Sequence, residues 1–404
     1  MNELSITPSY FERLTERGIT KATLVQKKVI PAVRNLTDGL VFRSETGSGK
    51  TLAYLIPLLE QLDYDKATEK EKAPTTSTYA VKIIIIAPTH ELASQIKTEI
   101  QQTSNYKAVL LLGGSPLKRQ MDALKEKPAF VVGAPSRILE LIHLKKLKIE
   151  HVHTLVLDEV DRLLAPELRD DTEDLITRLT QNTVKTKLIA CSATIKPSII
   201  TILKNVYSNP IESILLAEED VLQTKITHWA IHAERRQKID TLRSLLYALG
   251  TGNIEKAGKL QKKILVFTGR VNDVDNIVQQ LQFKKINCTG LHARTDKLKR
   301  KQAIDRFKSG KCPVLITSDL AARGLDIRNI THVVHMDVPS NEDFFIHRSG
   351  RTARAGATGI NVIIGDEYEM HQLAKLEKKL KIVIYPKELR NGKIVSPVEE
   401  TYSN

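Results

Sequence analysis

Short runs of aliphatic and β-branched residues recur along the chain, separated by intervals long enough for a helix. This pattern is typical of parallel βαβ sheets, whose strands are buried on both faces and therefore read as continuous apolar runs. Five runs lie in the first half of the chain, at 40–43, 82–87, 129–132, 154–157 and 187–190. The second half contains four more and a weaker one, at 263–267, 314–317, 332–335, 360–364 and 286–289. We therefore predict two doubly wound α/β domains, each a parallel sheet with helices on both faces.

The boundary between the two domains is predicted after residue 208, where a proline and an acidic cluster interrupt the apolar periodicity. From it we assign a first domain, a linker, a second domain and a short tail, at 1–213, 214–225, 226–385 and 386–404. Two polar stretches, 63–78 and 250–262, are interpreted as solvated surface loops, and we assign no function to them.

Composition excludes two classes of protein. Apolar residues make up 41% and charged residues 27% of the 404 positions, and no apolar run approaches the roughly 18 residues of a membrane helix. A membrane protein and a largely disordered chain are therefore not expected. The first residues are acidic and lack the apolar stretch of a signal peptide, so we expect a cytosolic protein. The three cysteines lie far apart and are interpreted as buried, reduced thiols.

The positive charge is concentrated in the second half of the chain. Residues 1–225 contain 30 basic and 28 acidic side chains, whereas residues 226–404 contain 31 and 19. Such an excess suits a polyanion, because Lys and Arg that neutralise phosphates supply most of the non-specific affinity for nucleic acid. A basic protein kept soluble by its charge is an equally good reading of this balance taken alone.

A glycine-containing segment follows the first predicted strand and precedes a helical run. Glycines allow backbone N–H groups to surround phosphate oxygens at a helix N-terminus, whose dipole favours anions. Lys50 would reach the β and γ phosphates, and the Thr51 hydroxyl would ligate Mg²⁺. The rest of this predicted nucleotide-binding loop consists of Ser44, Glu45, Thr46, Gly47, Ser48 and Gly49.

Two acidic residues follow the predicted strand 154–157. Asp158 would emerge at the carboxyl end of that strand, on the edge of the sheet where ligands bind, and could hold the magnesium. Glu159 could polarise the attacking water. In isolation the pair could also be a helix N-cap, but beside a phosphate-binding loop the catalytic reading is preferred.

Together with its neighbours, this pair carries a family resemblance. Asp158-Glu159-Val160-Asp161 resembles the signature of DEAD-box RNA helicases, with Val in place of the usual Ala. Other motifs of that family occur in the expected order over nearly the whole chain, at 18–26, 44–51, 88–93, 113–114, 134–137, 192–194, 265–270, 317–326 and 347–356. The chain departs from them at Ile19, Leu24, His90 and Arg294.

The resemblance implies a fold, a reaction and ligands. It implies two tandem RecA-like domains with the ATP and RNA sites at the interdomain cleft, and ATP and Mg²⁺ as cofactors. Gln26 would read the adenine, Asp326 would contact the ribose, and Arg351 and Arg354 would be the arginine fingers. Coupling of hydrolysis to duplex opening is implied for Asp161, Ser192, Thr194 and His347. RNA contacts are implied for Thr89, Glu91, Gly114, Pro135, Arg137, Arg270, Thr317 and Arg323.

The leading hypothesis is an RNA-stimulated ATPase that binds the RNA backbone without sequence specificity and unwinds or remodels short duplexes or RNA–protein complexes. Aromatic residues are only 5% of the chain, which argues against sequence-specific base stacking. Two alternatives are a DNA helicase or translocase of the same superfamily and an RNA clamp or scaffold with little turnover. We expect a monomer that has no membrane partner and is targeted by protein partners.

Overall fold

The computed structural model of the chain divides into two units, Met1–Ala217 and Glu218–Asn404, and each is described by itself. The residues that the structure describes are 1–44, 48–71, 81–181, 184–215, 224–250, 262–322, 327, 329–339, 342–353 and 357–397. Within these ranges no helix is both long and apolar enough to cross a bilayer.

The first unit is built on a parallel sheet in which seven strands are described, ordered β3-β4-β2-β5-β6-β1-β7. Its strands are β1 Gly39–Arg43, β2 Ile83–Ile86, β3 Ala108–Leu111, β4 Phe130–Gly133, β5 Thr154–Asp158, β6 Lys187–Ser192 and β7 Ile211–Leu215. A short 3-10 helix at Asn2–Leu4 precedes its helices. They are α1 Pro8–Glu16, α2 Leu24–Arg34, α3 Lys50–Glu71, α4 His90–Thr103, α5 Leu117–Leu124, α6 Pro135–His143, α7 Val160–Leu163, α8 Arg169–Thr180 and α9 Pro197–Val206.

Alternate residues of each buried strand enter different hydrophobic cores, because successive side chains of a strand point to opposite faces. Along β2, for example, Ile83 and Ile85 pack in the core that contains α1 to α4. Ile84 and Ile86 pack in the other core, with α6 to α9. The first unit is therefore doubly wound.

The second unit repeats this plan. In its described part a parallel sheet is ordered β10-β11-β9-β12-β13-β8-β14, and a separate hairpin is formed by β15 and β16. The strands are β8 Ile226–His232, β9 Ile264–Thr268, β10 Cys288–Leu291, β11 Val314–Ser318, β12 His332–His335, β13 Gly359–Gly365, β14 Ile384–Pro386, β15 Glu388–Arg390 and β16 Lys393–Val395. The helices are α10 Lys238–Ala248, α11 Val271–Phe283, α12 Lys297–Lys308, α13 Asp319–Ala322, α14 Glu342–Ser349 and α15 Glu367–Leu380.

All ten predicted strands form, and four described strands of the two sheets were not predicted, namely β3, β7, β8 and β14. Those four are short or interrupted by polar residues. In β8, His228 is 1% exposed and its Nδ1 lies 3.2 Å from Nδ2 of Asn361 on β13, so a buried polar pair replaces an apolar contact. A polar residue that is buried in this way gives no apolar signal in the sequence.

The interpretation of one polar segment needs correction. The stretch 63–78 is not a loop throughout, because α3 continues to Glu71 and Tyr106 donates a hydrogen bond of 2.8 Å to Asp63 Oδ1. Residues 72–78 lie outside the described residues, as do 251–261 of the second stretch. Within the predicted tail, residues 388–395 form the β15–β16 hairpin. Leu389 and Ile394 of this hairpin pack against the core of the second unit.

Candidate active site

Apart from Gln26, which lies in α2, the predicted site residues of the first unit follow the carboxyl ends of its strands, and the strand order sorts them into two groups. The loops after β1, β5 and β6 carry the predicted nucleotide and coupling residues, and these three strands are neighbours. The loops after β2, β3 and β4 carry the predicted RNA residues, and these strands are neighbours as well. Because all the strands are parallel, both groups lie along one edge of the sheet.

The described part of the nucleotide loop joins β1 to α3. Lys50 is the first residue of α3 and is 8% exposed, so its ammonium lies at the positive end of a long helix. The Ser44 backbone N–H donates to the carbonyl of Ser192 at 2.9 Å, which fixes the start of the loop against β6. The Ser44 and Ser48 hydroxyls are hydrogen-bonded to each other. Glu45, Thr46 and Gly47 lie outside the described residues.

Gly49 is required by its surroundings. Its φ is +89°, in the region that favours glycine, and a Cβ on it would lie 2.4 Å from Gln26 Nε2. Gln26 is 2% exposed and donates from Nε2 to the Gly49 carbonyl at 3.3 Å. Its Oε1 accepts from the Thr23 N–H at 3.0 Å, completing a capping box at the start of α2. The predicted adenine-reading residue therefore also holds the nucleotide loop in place.

Asp158 ends β5 and is 2% exposed. Its Oδ2 accepts a hydrogen bond of 3.0 Å from the Tyr54 hydroxyl, and its Oδ1 lies 3.4 Å from the Cys191 thiol. Burial, followed by the charge of Asp158, raises the pKa of Tyr54 well above its ordinary value, and the same two causes raise that of Cys191. Both groups therefore stay protonated and hold the carboxylate in one orientation.

The oxygen ligands available here suit Mg²⁺ better than they suit a metal ion that is coordinated entirely by protein side chains. Among the described residues no cluster of three or more His, Cys, Asp or Glu side chains could hold a metal. Mg²⁺ commonly binds one or two protein oxygens and completes its shell with water and phosphate. The Asp158 carboxylate and the Thr51 hydroxyl provide such oxygens.

Glu159 has a left-handed backbone, with φ of 58° and ψ of 53°, directly before α7. This conformation is uncommon for a residue with a Cβ and costs of order 1 kcal/mol. It places the two consecutive carboxylates of the motif at a sharp turn out of the strand. Strain of this kind is often found at functional sites.

The predicted coupling residues of the first unit meet directly. Asp161 Oδ1 accepts from the Ser192 hydroxyl, and Asp161 Oδ2 accepts from the Thr194 hydroxyl at 2.7 Å. The acceptor carboxylate lies in α7 after β5, and both donors lie at the end of β6. Charge-assisted hydrogen bonds therefore link two adjacent loops of the site.

The predicted RNA residues of the first unit occupy three helix starts and turns. Thr89 caps α4, accepting from the Leu92 N–H at 3.2 Å, and Glu91 lies in the first turn of that helix. Gly114 has a φ of +71°, and nothing lies within 4 Å of the position of a Cβ. Pro135 begins α6, and Arg137 Nε is 3.1 Å from Glu140 Oε2.

In the second unit the predicted residues are spread over several loops. Thr317 is fully buried near the end of β11, whereas Arg270 is exposed at the start of α11. His347 lies in α14, and Arg351, just after this helix, is 7% exposed. Three further predicted residues lie outside the described residues: Arg323, Asp326 and Arg354.

Comparison with known proteins identifies the family. The sequence model for DEAD/DEAH box helicases matches residues 23–202, and that for the helicase conserved C-terminal domain matches residues 237–356. The DEAD-box ATP-dependent RNA helicase CshC of Bacillus cereus is 34% identical over 383 residues, which cover 94% of this chain and 90% of that protein. The chain belongs to the DEAD-box family of ATP-dependent RNA helicases. The predicted enzyme class, an ATP-hydrolysing RNA helicase, is thereby confirmed.

Further relatives of this DEAD-box helicase agree with its fold. The probable ATP-dependent RNA helicase YfmL of Bacillus subtilis is 32% identical, with 95% of each chain covered. The structure of Mss116p bound to ssRNA and AMP-PNP superposes with a TM-score of 0.81 at 26% identity, covering 96% of this chain and 78% of that one. The structure of S. cerevisiae Dbp5 bound to RNA and ADP BeF3 superposes with a TM-score of 0.79 at 22% identity, covering 95% of each chain. The prediction of two RecA-like domains is confirmed.

Sequence reasoning assigned no role to three side chains that support the site. Tyr54 lies one helical turn after Lys50, and this spacing of four residues was an available signal. Cys191 is the register partner of Asp158 on the neighbouring strand, which only the strand pairing reveals.

The third, Arg348, is 3% exposed in the second unit. It forms a two-pronged ion pair with Asp319, at 2.6 and 2.7 Å, and lies 3.2 Å from Asp337 Oδ2. Burial opposes its charge, but these carboxylates outweigh burial and raise its pKa. This ion pair joins the helix that carries His347 to the end of β11.

Proposed function

We propose that this helicase hydrolyses ATP at the loops after β1, β5 and β6 of the first unit and binds RNA along the loops after β2, β3 and β4. The observation that carries the proposal is this division of one sheet edge into two adjacent sets of loops. The link from Asp161 to Ser192 and Thr194 lies within the nucleotide set.

In the nucleotide site, Lys50 and the N-terminus of α3 bind the β and γ phosphates, and Gln26 reads the adenine. Thr51 and Asp158 would hold Mg²⁺, which when bound neutralises charge developing on the phosphates. Tyr54 and Cys191 orient the Asp158 carboxylate. Glu159 orients and polarises the attacking water, and the tight turn at its backbone supports this role.

Two arginines of the second unit complete the proposed catalytic site. We assign the arginine-finger role to Arg351 and Arg354, since an arginine that neutralises the transferring phosphoryl group raises the rate by about 10³ to 10⁵. Asp326 would contact the ribose. Hydrolysis then needs residues of both units. Where ATP and RNA each bind residues of both units, the binding of one raises the affinity for the other.

RNA is bound mainly through its sugar and phosphate groups. In the first unit the contacts would come from Thr89, Glu91, Gly114, Pro135 and Arg137, where open backbone at Gly114 permits close approach. In the second unit they would come from Arg270, Thr317 and Arg323. Such contacts carry no sequence information, so targeting falls to partners.

We also propose that the protein is a monomer and lies in the cytoplasm. Support for a reducing compartment comes from the cysteines. Cys191, Cys288 and Cys312 are all free and buried. Disulfides are rare in such compartments.

Steady-state ATPase measured with and without RNA, and with single-stranded DNA, tests the proposal, with Lys50→Ala as the blank. We expect strong stimulation by RNA, weak stimulation by DNA, and loss of turnover in Glu159→Gln. A Lys50-dependent ATPase rate that is unchanged by RNA, or that is stimulated more by DNA than by RNA, would contradict the assignment of RNA as the ligand. An unchanged rate in Glu159→Gln would contradict its catalytic role.

A further inference from the structure

The second unit has a basic surface at the end of its sheet where the strands begin. The helicase motifs follow the opposite, carboxyl-terminal ends of the strands. Three neighbouring strands, β10, β11 and β9, begin at this edge. The segments leading into them, and the end of α10, form what we call the amino-terminal face. Its segments are 247–250, 262–263, 283–287 and 308–312.

Hydrogen bonds join these segments into one continuous surface. The Tyr247 hydroxyl donates to the carbonyl of Lys284 at 2.9 Å, and Asn287 Nδ2 donates to the carbonyl of Lys311 at 2.7 Å. The ammonium of Lys263 donates to the carbonyl of Lys308 at 2.6 Å. The face is therefore held together by the fold rather than assembled from separate loops.

The face is uniformly positive. Its segments contain six lysines and no Asp or Glu, the lysines being Lys262, Lys263, Lys284, Lys285, Lys308 and Lys311. Five of them are exposed, and within the described residues none of the six forms an ion pair. Burial and then the neighbouring charge of Lys308 lower the pKa of Lys263, as expected where cations lie close together.

An exposed aromatic side chain stands among these lysines. Phe283 is 82% exposed, and the Lys284 ammonium lies 5.6 Å from its ring centre. Tyr247 beside it is 46% exposed. A groove of about 380 Å³ between α10 and α11 opens next to Phe283 and is lined by Ile239, Leu281 and the Asp240–Arg243 pair.

Lysines at helix C-termini are common because they compensate the helix dipole, and that would account for Lys284 and Lys308. It does not account for Phe283, which contributes nothing to the dipole and exposes nearly its whole ring to water. An aromatic ring bordered by unpaired cations is what single-stranded nucleic acid requires, since bases stack on the ring while cations contact the phosphates. An acidic protein surface would use the lysines but not the exposed ring of Phe283.

We propose that the amino-terminal face is a second binding surface for single-stranded RNA, without sequence preference and without a part in hydrolysis. It lies at the opposite end of the strands from Thr317 and Arg270, so it goes beyond the proposed catalytic edge. Its role is to hold RNA that flanks the segment being remodelled. A helicase with two such sites stays near its substrate after each round of hydrolysis, because release from one site leaves the other bound.

The test compares RNA oligomers of two lengths, uridine chains of about 8 and about 30 nucleotides, by fluorescence anisotropy on the full chain. One variant replaces Lys284, Lys308 and Lys311 by Ala. Lys285 is kept because its φ of 61° makes substitution there ambiguous, and Lys263 because it bonds to the Lys308 carbonyl. Phe283→Ala is the second variant. The matched control replaces three exposed lysines of the first unit, Lys146, Lys148 and Lys204.

For the triple-lysine variant we expect the affinity for the long oligomer to fall about tenfold or more, and the slope of log Kd against log salt to fall by about 2. Phe283→Ala should weaken the long oligomer by about fivefold to 100-fold and leave the salt slope unchanged, because stacking is not ionic. ATPase stimulated by the short oligomer should stay as in the wild type for both variants.

Wild-type affinity for the long oligomer in both variants would overturn the proposal, and a protein partner would then be the better candidate for this face. An equal loss in the control variant would overturn it too, since the effect would then be net charge alone. Because the short-oligomer ATPase reports only on the motifs, failure here is distinguishable from failure of the proposed function.

Discussion

Tyr54→Phe tests whether the Asp158 carboxylate is held by its neighbours. The change removes one hydroxyl from a fully buried ring that otherwise keeps its packing. It deletes the 3.0 Å hydrogen bond to Asp158 Oδ2 and leaves the longer thiol contact of Cys191. A hydrogen bond to a charged group contributes about 1.5 to 3 kcal/mol, so the unfolding free energy of the first unit should fall by that amount.

The chain offers a matched control in Tyr207→Phe. Tyr207 is 1% exposed in the same unit, and its hydroxyl donates to the neutral carbonyl of Thr186 at 3.0 Å. Loss of a neutral hydrogen bond costs about 0.5 to 1.5 kcal/mol. Both variants should therefore lose stability, but only Tyr54→Phe should affect the chemistry.

The assays are urea unfolding without ligand and ATPase as a function of magnesium concentration. Loss of a group that orients a metal-binding carboxylate commonly costs about 10- to 100-fold in metal affinity or activity. Tyr54→Phe should therefore need about tenfold more magnesium for half-maximal turnover, and Tyr207→Phe should match the wild type. If Tyr54→Phe matches the wild type in both assays, the hydroxyl does not hold Asp158 and the reasoning fails.

Three other perturbations follow from the same structure. Gly49→Ala should weaken binding of a fluorescent ATP analogue at least tenfold, because a Cβ would lie 2.4 Å from Gln26 Nε2 and φ is +89°; wild-type binding would contradict this. Arg348→Met should destabilise the second unit by about 1.5 to 3 kcal/mol in thermal unfolding, since it removes the charged hydrogen bonds of Arg348 to Asp319, whose carboxylate is partly exposed. An unchanged transition would show that the pair is dispensable. Burial lowers the pKa of His332 to about 4, so as the pH falls from about 6.5 to 4 the unfolded state is protonated first, and the contribution of His332 to stability falls by about 1.4 kcal/mol per pH unit. His332→Gln should reduce the pH slope of stability by about that amount in urea unfolding at several pH values, while the buried His153 and His335 keep their own contributions; an unaltered slope would refute it.

Sequence patterns predict this fold well where strands are buried on both faces. Runs such as Ile83–Ile86 have no other plausible role, whereas Ile211–Leu215 is an edge strand whose alternation is weak. The site was predicted where its chemistry is local in sequence, as in the nucleotide loop and the acidic pair 158–159. Tyr54 and Cys191 were missed because their common partner lies 104 and 33 residues away, and the pairing arises only when the sheet forms.

The uneven charge of the chain gains a structural meaning from the amino-terminal face. Residues 1–225 are nearly balanced, with 30 basic and 28 acidic side chains, and the proposed hydrolytic residues other than the arginine fingers and Asp326 lie there. The excess of residues 226–404 includes the six lysines of a face that lies away from the motifs. Affinity for RNA without nucleotide should therefore depend mainly on the second unit and on salt, because it arises from unpaired cations. Affinity gained on adding ATP should depend on the motifs and much less on salt, because it arises from positioned hydrogen bonds. The two contributions can thus be separated in one protein by varying salt and nucleotide independently.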